Sequence, residues 1–184
     1  TFENVPYGEY IVRELKPAEG YLPNEENYTV TISENKEIIE ITIENDKTPE
    51  LGTTATIDGK KEVGATEVFI LEDVVEYKHL VPGKEYTVKG VLMDKATGEP
   101  LLIDEKEIRS ETTFTPDEPT GEVIVSFEFD ARYIKKDTDI VVFESLYSEN
   151  KELAVHAEID DEGQTVTVKI PKIGTKASIE GKKK

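Results

Sequence analysis

The chain has no cysteine and no tryptophan, and its one methionine is Met93. Without cysteine there is no disulfide and no thiolate metal site, so any covalent tie must come from other side chains. Without tryptophan, a sugar site built on ring stacking is poorly supported. Basic residues are scarce: 22 Lys and Arg stand against 40 Asp and Glu, a formal net charge of −18. Such a surface repels phosphate, which argues against nucleic-acid binding and against docking on anionic membranes. No apolar run reaches the roughly 18 residues of a transmembrane helix. No signal peptide is visible, and the chain opens on a strand-like pattern at Thr1-Phe2-Glu3, as an excised piece of a longer protein would. The absence of cysteine does not place the protein inside a cell.

What is present is alternation. In residues 1–48, Tyr10, Val12 and Glu14 share one face of an extended segment, as do Tyr28, Val30 and Ile32, and then Ile39, Ile41, Ile43 and Asn45. Residues two apart in a strand point the same way, so three strands are expected, a partial β-sandwich fragment too small for an independent domain. Glu14 and Asn45 sit in apolar register. They either lie at strand ends that reach water or are buried.

After a polar linker over residues 46–50, the pattern restarts. Phe69, Leu71, Asp73, Val75 and Tyr77 share a face, and further strands are expected over 86–93, 108–114, 121–129, 140–146, 153–159 and 164–170. Residues 94–100 read as a hairpin loop and 131–136 as one helical turn. Many short strands joined by turn chemistry predict an all-β fold, an antiparallel Ig-like β-sandwich module. No segment keeps helical periodicity beyond a turn or two.

The sequence also repeats. PELGTTATIDGKK (49–61) returns as PKIGTKASIEGKK (171–183), with eight of thirteen positions identical. The expected organisation is a fragment over 1–48, one full module over 49–171, and the start of the next copy over 172–184. Thr54 becomes Lys176 in the second copy while Thr53 persists as Thr175. The position that tolerates lysine should face solvent, so Thr53 should face inward and Thr54 outward.

Several polar residues are in apolar company. Asp73 lies between Leu71 and Val75, Glu144 between Val142 and Leu146, and Gln164 leads Val166, Val168 and Ile170, all at a spacing of two. Burying such groups unpartnered costs about 1–3 kcal/mol each or more. His156 is out of phase with Leu153 and Val155, and a lone strand histidine is ordinarily a surface or satisfied residue. Asp160, Asp161 and Glu162 read as a solvated turn, although such a cluster could bind a cation weakly. Glu144 could pair with a lysine. A hydroxyl, an imidazole and a carboxylate are also the parts of an activated nucleophile, and a glutamine amide is an acyl acceptor. Together they suggest attack by Thr53 on Gln164, with Asp73 and Glu144 sharing a proton and polarising the amide carbonyl.

The motifs GTTAT (52–56), EDVVEY (72–77), GVLMDKATGEPL (90–101), FTP (114–116), VVFESLY (141–147) and HAEIDDEGQT (156–165) resemble the threonine–glutamine ester-bond domains of Gram-positive surface adhesins, also called VaFE repeats. The resemblance implies an ester between Thr53 and Gln164, with His156, Asp73 and Glu144 as the assisting residues and Thr175 as the crosslink threonine of the next repeat. Residues 2–48, through FENVPYGEYIVRELKPAEGYLP and YTVTISENKEIIEITIEN, resemble the C-terminal part of a collagen-adhesin B-type domain. That resemblance implies an incomplete isopeptide site in which Glu14 is the acid and Asn45 the asparagine, with the lysine strand falling upstream of Thr1.

The expected function is a structural stalk module of a cell-surface adhesin, extracellular and anchored to the cell wall. It crosslinks itself once and is no turnover enzyme, and it uses no cofactor and no metal. The expected partners are neighbouring repeats of the same chain, with a host ligand bound elsewhere in the protein and the module itself monomeric. The alternative is a ligand-binding sandwich acting through loops 94–100 or 117–121. A glycosidase would need Asp73 and Glu144 in an open cleft, and their apolar register argues otherwise.

Overall fold

In the computed structural model, which describes residues 2–34 and 38–175, the alternating segments become ladders. The N-terminal fragment holds β1 (Gly8–Val12) and β2 (Tyr28–Ile32), paired antiparallel with Tyr10 opposite Val30. The strands that follow are β3 (Glu50–Ile57), β4 (Glu62–Gly64), β5 (Val68–Lys78), β6 (Tyr86–Asp94), β7 (Glu99–Pro100), β8 (Leu102–Ile103) and β9 (Lys106–Glu107). The remainder are β10 (Arg109–Phe114), β11 (Gly121–Asp130), β12 (Thr138–Ser148), β13 (Lys151–His156) and β14 (Thr165–Lys169). A 3-10 turn, Ala131–Tyr133, sits where one helical turn is expected, capped by the Asp130 carboxylate accepting from Arg132 N.

Two sheets face each other. One runs β10-β6-β12-β14-β4, with β13 also on β12 and β7 on β6; the other runs β11-β5-β3. The core between them is drawn from the alternate positions of both: Ala55, Ile57, Leu71, Val75, Val125 and Phe127 from the smaller sheet, and Val88, Leu92, Val142, Leu146, Val166 and Val168 from the larger. This is the antiparallel β-sandwich that the period-two pattern predicts. Among the described residues only the β14–β4 pairing is parallel.

One edge of β12 serves two strands in succession. Residues Thr138 to Val141 pair with β14, and Glu144 to Ser148 pair with β13. The turn between β13 and β14 is therefore held against the middle of β12, at Val142 and Glu144. Its other flank meets β3, where Ala55 N donates to Gly163 O at 3.1 Å. The turn that leads into the last strand of the module thus meets the first strand.

The expected strand over 38–45 is not a ladder strand among the described residues. Ile41, Ile43 and Asn45 keep the alternation of burial, but no described segment offers 38–45 a hydrogen-bonding edge. Period two reports an extended backbone facing two environments; a ladder also requires a neighbour. What ties this segment in is side-chain bonding, Asn24 Nδ2 donating to Glu44 O at 3.0 Å and Asn45 Nδ2 donating to Leu22 O, followed by Leu22 N donating to Asp46 O and Thr48 N donating to Gly20 O just beyond it.

Gly90 on β6 is a close-approach position. A Cβ there would lie 2.4 Å from Cζ of Phe127, whose ring crosses from the opposite sheet. Gly90 is also the cross-strand partner of Glu144, so Phe127 fills the space beside that acid. Gly90→Ala should therefore lower unfolding stability by about 1–3 kcal/mol through overpacking. Denaturant titration checks this, and an unchanged midpoint would show that Phe127 has room to move.

Candidate functional site

The residues in apolar register are buried as their spacing demands. Asp73 is 0% exposed, Glu144 1% and Gln164 0%. Asp73 stands on β5 between cross-strand Ala55 and Val125, so its neighbours within the sheet are apolar. Glu144 stands on β12 opposite His156 on one side and Gly90 on the other. Gln164 precedes β14; its backbone O accepts from Val142 N, and its side-chain Nε2 donates to Glu144 Oε2 at 2.6 Å.

Five buried side-chain oxygens lack a partner when the acids are counted as carboxylates: Thr53 Oγ1, both oxygens of Asp73, Glu144 Oε1 and Gln164 Oε1. Two buried carboxylates side by side do not both ionise. A proton shared between Asp73 and Glu144 gives them a mutual hydrogen bond, which pairs one oxygen of each and leaves Thr53 Oγ1, Gln164 Oε1 and one Asp73 oxygen unpartnered. Burial pushes both carboxyls up, and Glu144, raised further by the hydrogen bond and charge of Asp73, reaches about 10. At neutral pH the pair holds a proton.

Thr53 faces inward and Thr54 is exposed, as the repeat predicts. Gly163 sits one residue before Gln164, and a Cβ at Gly163 would lie 3.4 Å from Thr53 O. The threonine strand and the glutamine turn are thus in direct apposition.

His156 departs from its expected phase. The β12–β13 register shifts between Leu146 and Tyr147, so that Tyr147 opposes Glu152 and Leu146 opposes Ala154, leaving Leu153 as the extra residue. This β-bulge exchanges the two faces beyond it. Val155 is consequently 53% exposed, while His156 turns toward the site opposite Glu144.

The acidic turn is more than a solvated loop. Asp161 Oδ2 lies 2.9 Å from His156 Nε2, and Asp161 Oδ1 accepts from Gly163 N at 2.7 Å. Thr165 Oγ1 donates to Asp161 O at 2.6 Å, fixing the turn. The His156 contact, with the backbone donors, holds the Asp161 carboxyl below the usual range. Asp161 was hidden in the sequence among Asp160 and Glu162; its spacing of five from His156 is the one signal that could have drawn attention to it. Among the described residues no cluster of His, Asp and Glu is arranged to hold a metal ion.

The Gln164 amide is oriented differently from the expectation. The expected polarisation was of the carbonyl, yet Glu144 bonds the amide nitrogen and Gln164 Oε1 has no donor. In the N-terminal fragment, Glu14 and Asn45 do meet: Asn45 Nδ2 donates to Glu14 Oε2 at 2.7 Å and to Leu22 O at 2.8 Å. Thr175 is exposed, and the rest of its repeat, 176–184, lies outside the described residues.

A hydroxyl, an imidazole beside a carboxylate, an amide and a proton-sharing acid pair thus meet inside the sandwich, away from any open cleft. Residues 49–168 match the T-Q ester bond containing domain, and the chain belongs to that family. Its members are structural crosslinked modules and not turnover enzymes. Residues 1–47 match a prealbumin-like fold domain. Two crystal forms of a bacterial adhesin from Mobiluncus mulieris, containing intramolecular disulfide, isopeptide and ester bond cross-links, align with TM-scores of 0.59 and 0.57 at 18% and 19% identity. Each alignment covers 68% of this chain and 58% of the adhesin structure, so the chain spans little more than half of that protein. This likeness shows the fold. No curated protein matches the chain.

The acid pair fixes a pH dependence. An unfolded Glu titrates near 4.5 and folded Glu144 near 10, so between those values the folded state binds a proton that the unfolded state has lost. Its contribution is complete below pH 4.5 and declines as pH rises toward 10. In Thr53→Ala protein, which keeps both acids, melting temperature should fall from pH 5 to pH 9. Adding Glu144→Gln should flatten that slope; an equal slope in the two proteins would mean that Glu144 is ionised in the fold.

Proposed function

We propose that Thr53 and Gln164 join in an intramolecular ester that locks the first strand of the module to the last, and that the module is one repeat of the stalk of a cell-surface adhesin. The observation that carries the chemistry is the set of five buried, unpartnered oxygens on Thr53, Asp73, Glu144 and Gln164. Native folds leave few buried polar atoms unpaired, and a cluster of them around a hydroxyl and an amide is accounted for by a reaction between the two.

The steps balance without outside reagents. His156, oriented by Asp161, takes the proton of the Thr53 hydroxyl as Oγ1 attacks Gln164 Cδ. The new C–O bond forms and the C–N bond breaks. Neutral Glu144, 2.6 Å from Nε2, hands its proton to the departing nitrogen, and the proton on His156 returns the acid pair to its starting state. Ammonia leaves. Threonine hydroxyl and primary amide are poor reactants, and the barrier falls because folding holds them together, an effect worth about 7–11 kcal/mol.

The setting rests on family membership, on the internal repeat and on the crosslinked adhesin that shares the fold. In this reading the module spans 49–171 between a prealbumin-like neighbour and the next repeat. Its partners are those neighbouring units, and it works at the cell surface in a wall-anchored protein. Any host ligand is bound elsewhere. Among the described residues no helix is long and apolar enough to cross a membrane. We read the Glu14–Asn45 pair as the acid and asparagine of an isopeptide site; the hydrogen bonds described for their side chains join them to each other, to Leu22 O and to Asn24 N, and none comes from a lysine.

Intact mass decides the matter. The folded protein should weigh about 17 Da less than its sequence, the mass of the ammonia lost in acyl transfer. Thr53→Ala and Gln164→Ala should restore the full mass, His156→Ala should delay the loss, and Thr54→Ala should leave it intact. Full mass in well-folded wild-type protein would refute the ester. By analogy with a disulfide across about 100 residues, Thr53→Ala should also lower stability by several kcal/mol, measured as a drop in melting temperature and faster proteolysis.

A further inference from the structure

We infer that Lys61 is a positioning residue for ester formation, its ammonium clamping the backbone of the Thr53 strand to the backbone of the Gln164 turn. This rests on the ester reading above.

Lys61 lies just before β4, where the chain turns back from β3. Its Nζ donates to Ala55 O at 2.7 Å and also to Gly163 O. Ala55 is two residues from Thr53, and Gly163 is next to Gln164. Gly163 O already accepts from Ala55 N at 3.1 Å. One cation therefore bridges the two segments at the point where the reacting side chains leave them. Beyond β3, the edge strand of its sheet, that single backbone bond and the lysine are the polar ties described between β3 and the Gln164 turn. Hydrogen bonds from a charged donor are the stronger and more directional kind.

The main chain of Lys61 reinforces the same junction. Its carbonyl accepts from Thr167 N at 2.7 Å, which seats the start of the parallel β14–β4 pairing. The residue thus holds β14 through its backbone and the turn before β14 through its side chain. The ammonium also acts electrostatically on Asp73 of the acid pair and on Asp161 beside His156. No neighbouring carboxylate takes it as an ion-pair partner among the described residues. Its donors are spent on carbonyls, as a clamp requires, and not on charge neutralisation. Lys61 is one of two adjacent lysines in the GKK of the repeat, and both return in the second copy as Lys182 and Lys183.

A misplacement of about 1 Å between reacting groups can slow a step by roughly a hundredfold. The test is the rate of the 17 Da loss. Full-length chains are synthesised, translation is arrested, and intact mass is followed with time. Lys61→Met should slow the loss on the order of 10- to 100-fold. Lys61→Arg, which keeps the charge and more than one donor, should restore a rate close to wild type. Lys60→Met, at the exposed neighbour, should change nothing. In a Thr53→Ala background, where no ester forms, Lys61→Met should leave melting temperature nearly unchanged, which separates positioning from general stability. Should Lys61→Met fail to fold, Lys61→Gln carries the comparison with an intermediate rate expected. A wild-type rate in Lys61→Met overturns the inference. So does a slow rate that Lys61→Arg does not rescue and that a matching drop in melting accompanies. Full mass in wild-type protein would instead overturn the ester itself, and this role with it.

Discussion

The structure depends on keeping two acids dry. Asp73 and Glu144 face each other inside the sandwich, with Ala55, Val125 and Phe127 in place of water. Solvation there is so poor that the pair retains a proton at neutral pH. Several features of the module serve that condition. Gly90 gives up its side chain so that Phe127 can close over the acid, and the long β12 presents Glu144 between two flanking strands. Wet, the same two groups would be ordinary carboxylates.

Dryness also explains the division of labour between the two acidic groups of the site. Asp161 lies at the rim, held low by His156 and by backbone donors, and is suited to orienting the imidazole. Glu144 lies inside, held high by burial, and is suited to donating a proton. Burial thus keeps a proton on the inner pair, while hydrogen bonds keep Asp161 ionised. The separation of their titrations is set by how far each stands from solvent and from the histidine.

Much of this was legible in the sequence, because period two transmits burial faithfully along an unbroken strand. Asp73 between Leu71 and Val75, Glu144 between Val142 and Leu146, and Gln164 ahead of Val166 could be assigned to the interior without coordinates, and the repeat oriented Thr53. The failures have physical causes. The phase of His156 was misread because a bulge at Leu153 inverts the faces beyond it, and neither Leu153 nor its neighbours carry a composition that announces a bulge. Asp161 was missed because turn residues have no periodicity, so one acid among three looked like solvent-facing charge. The segment 38–45 alternates yet lacks a ladder, since alternation records environment and says nothing of who lies alongside. The role of Lys61 was invisible because its partners are backbone carbonyls far apart in the chain.

The apposition of Gly163 with β3 has a consequence in contour length. With the proposed ester closed, residues 53–164 form a ring, and a force applied at residues 49 and 171 travels through only the short segments outside it. Those segments amount to about eleven residue steps, whereas the ring withholds over a hundred, on the order of 380 Å of extended chain. A fibre built of such units would lengthen at its linkers and scarcely at all within its modules. Its reach would then be set by how many repeats are strung together, however hard the load pulls.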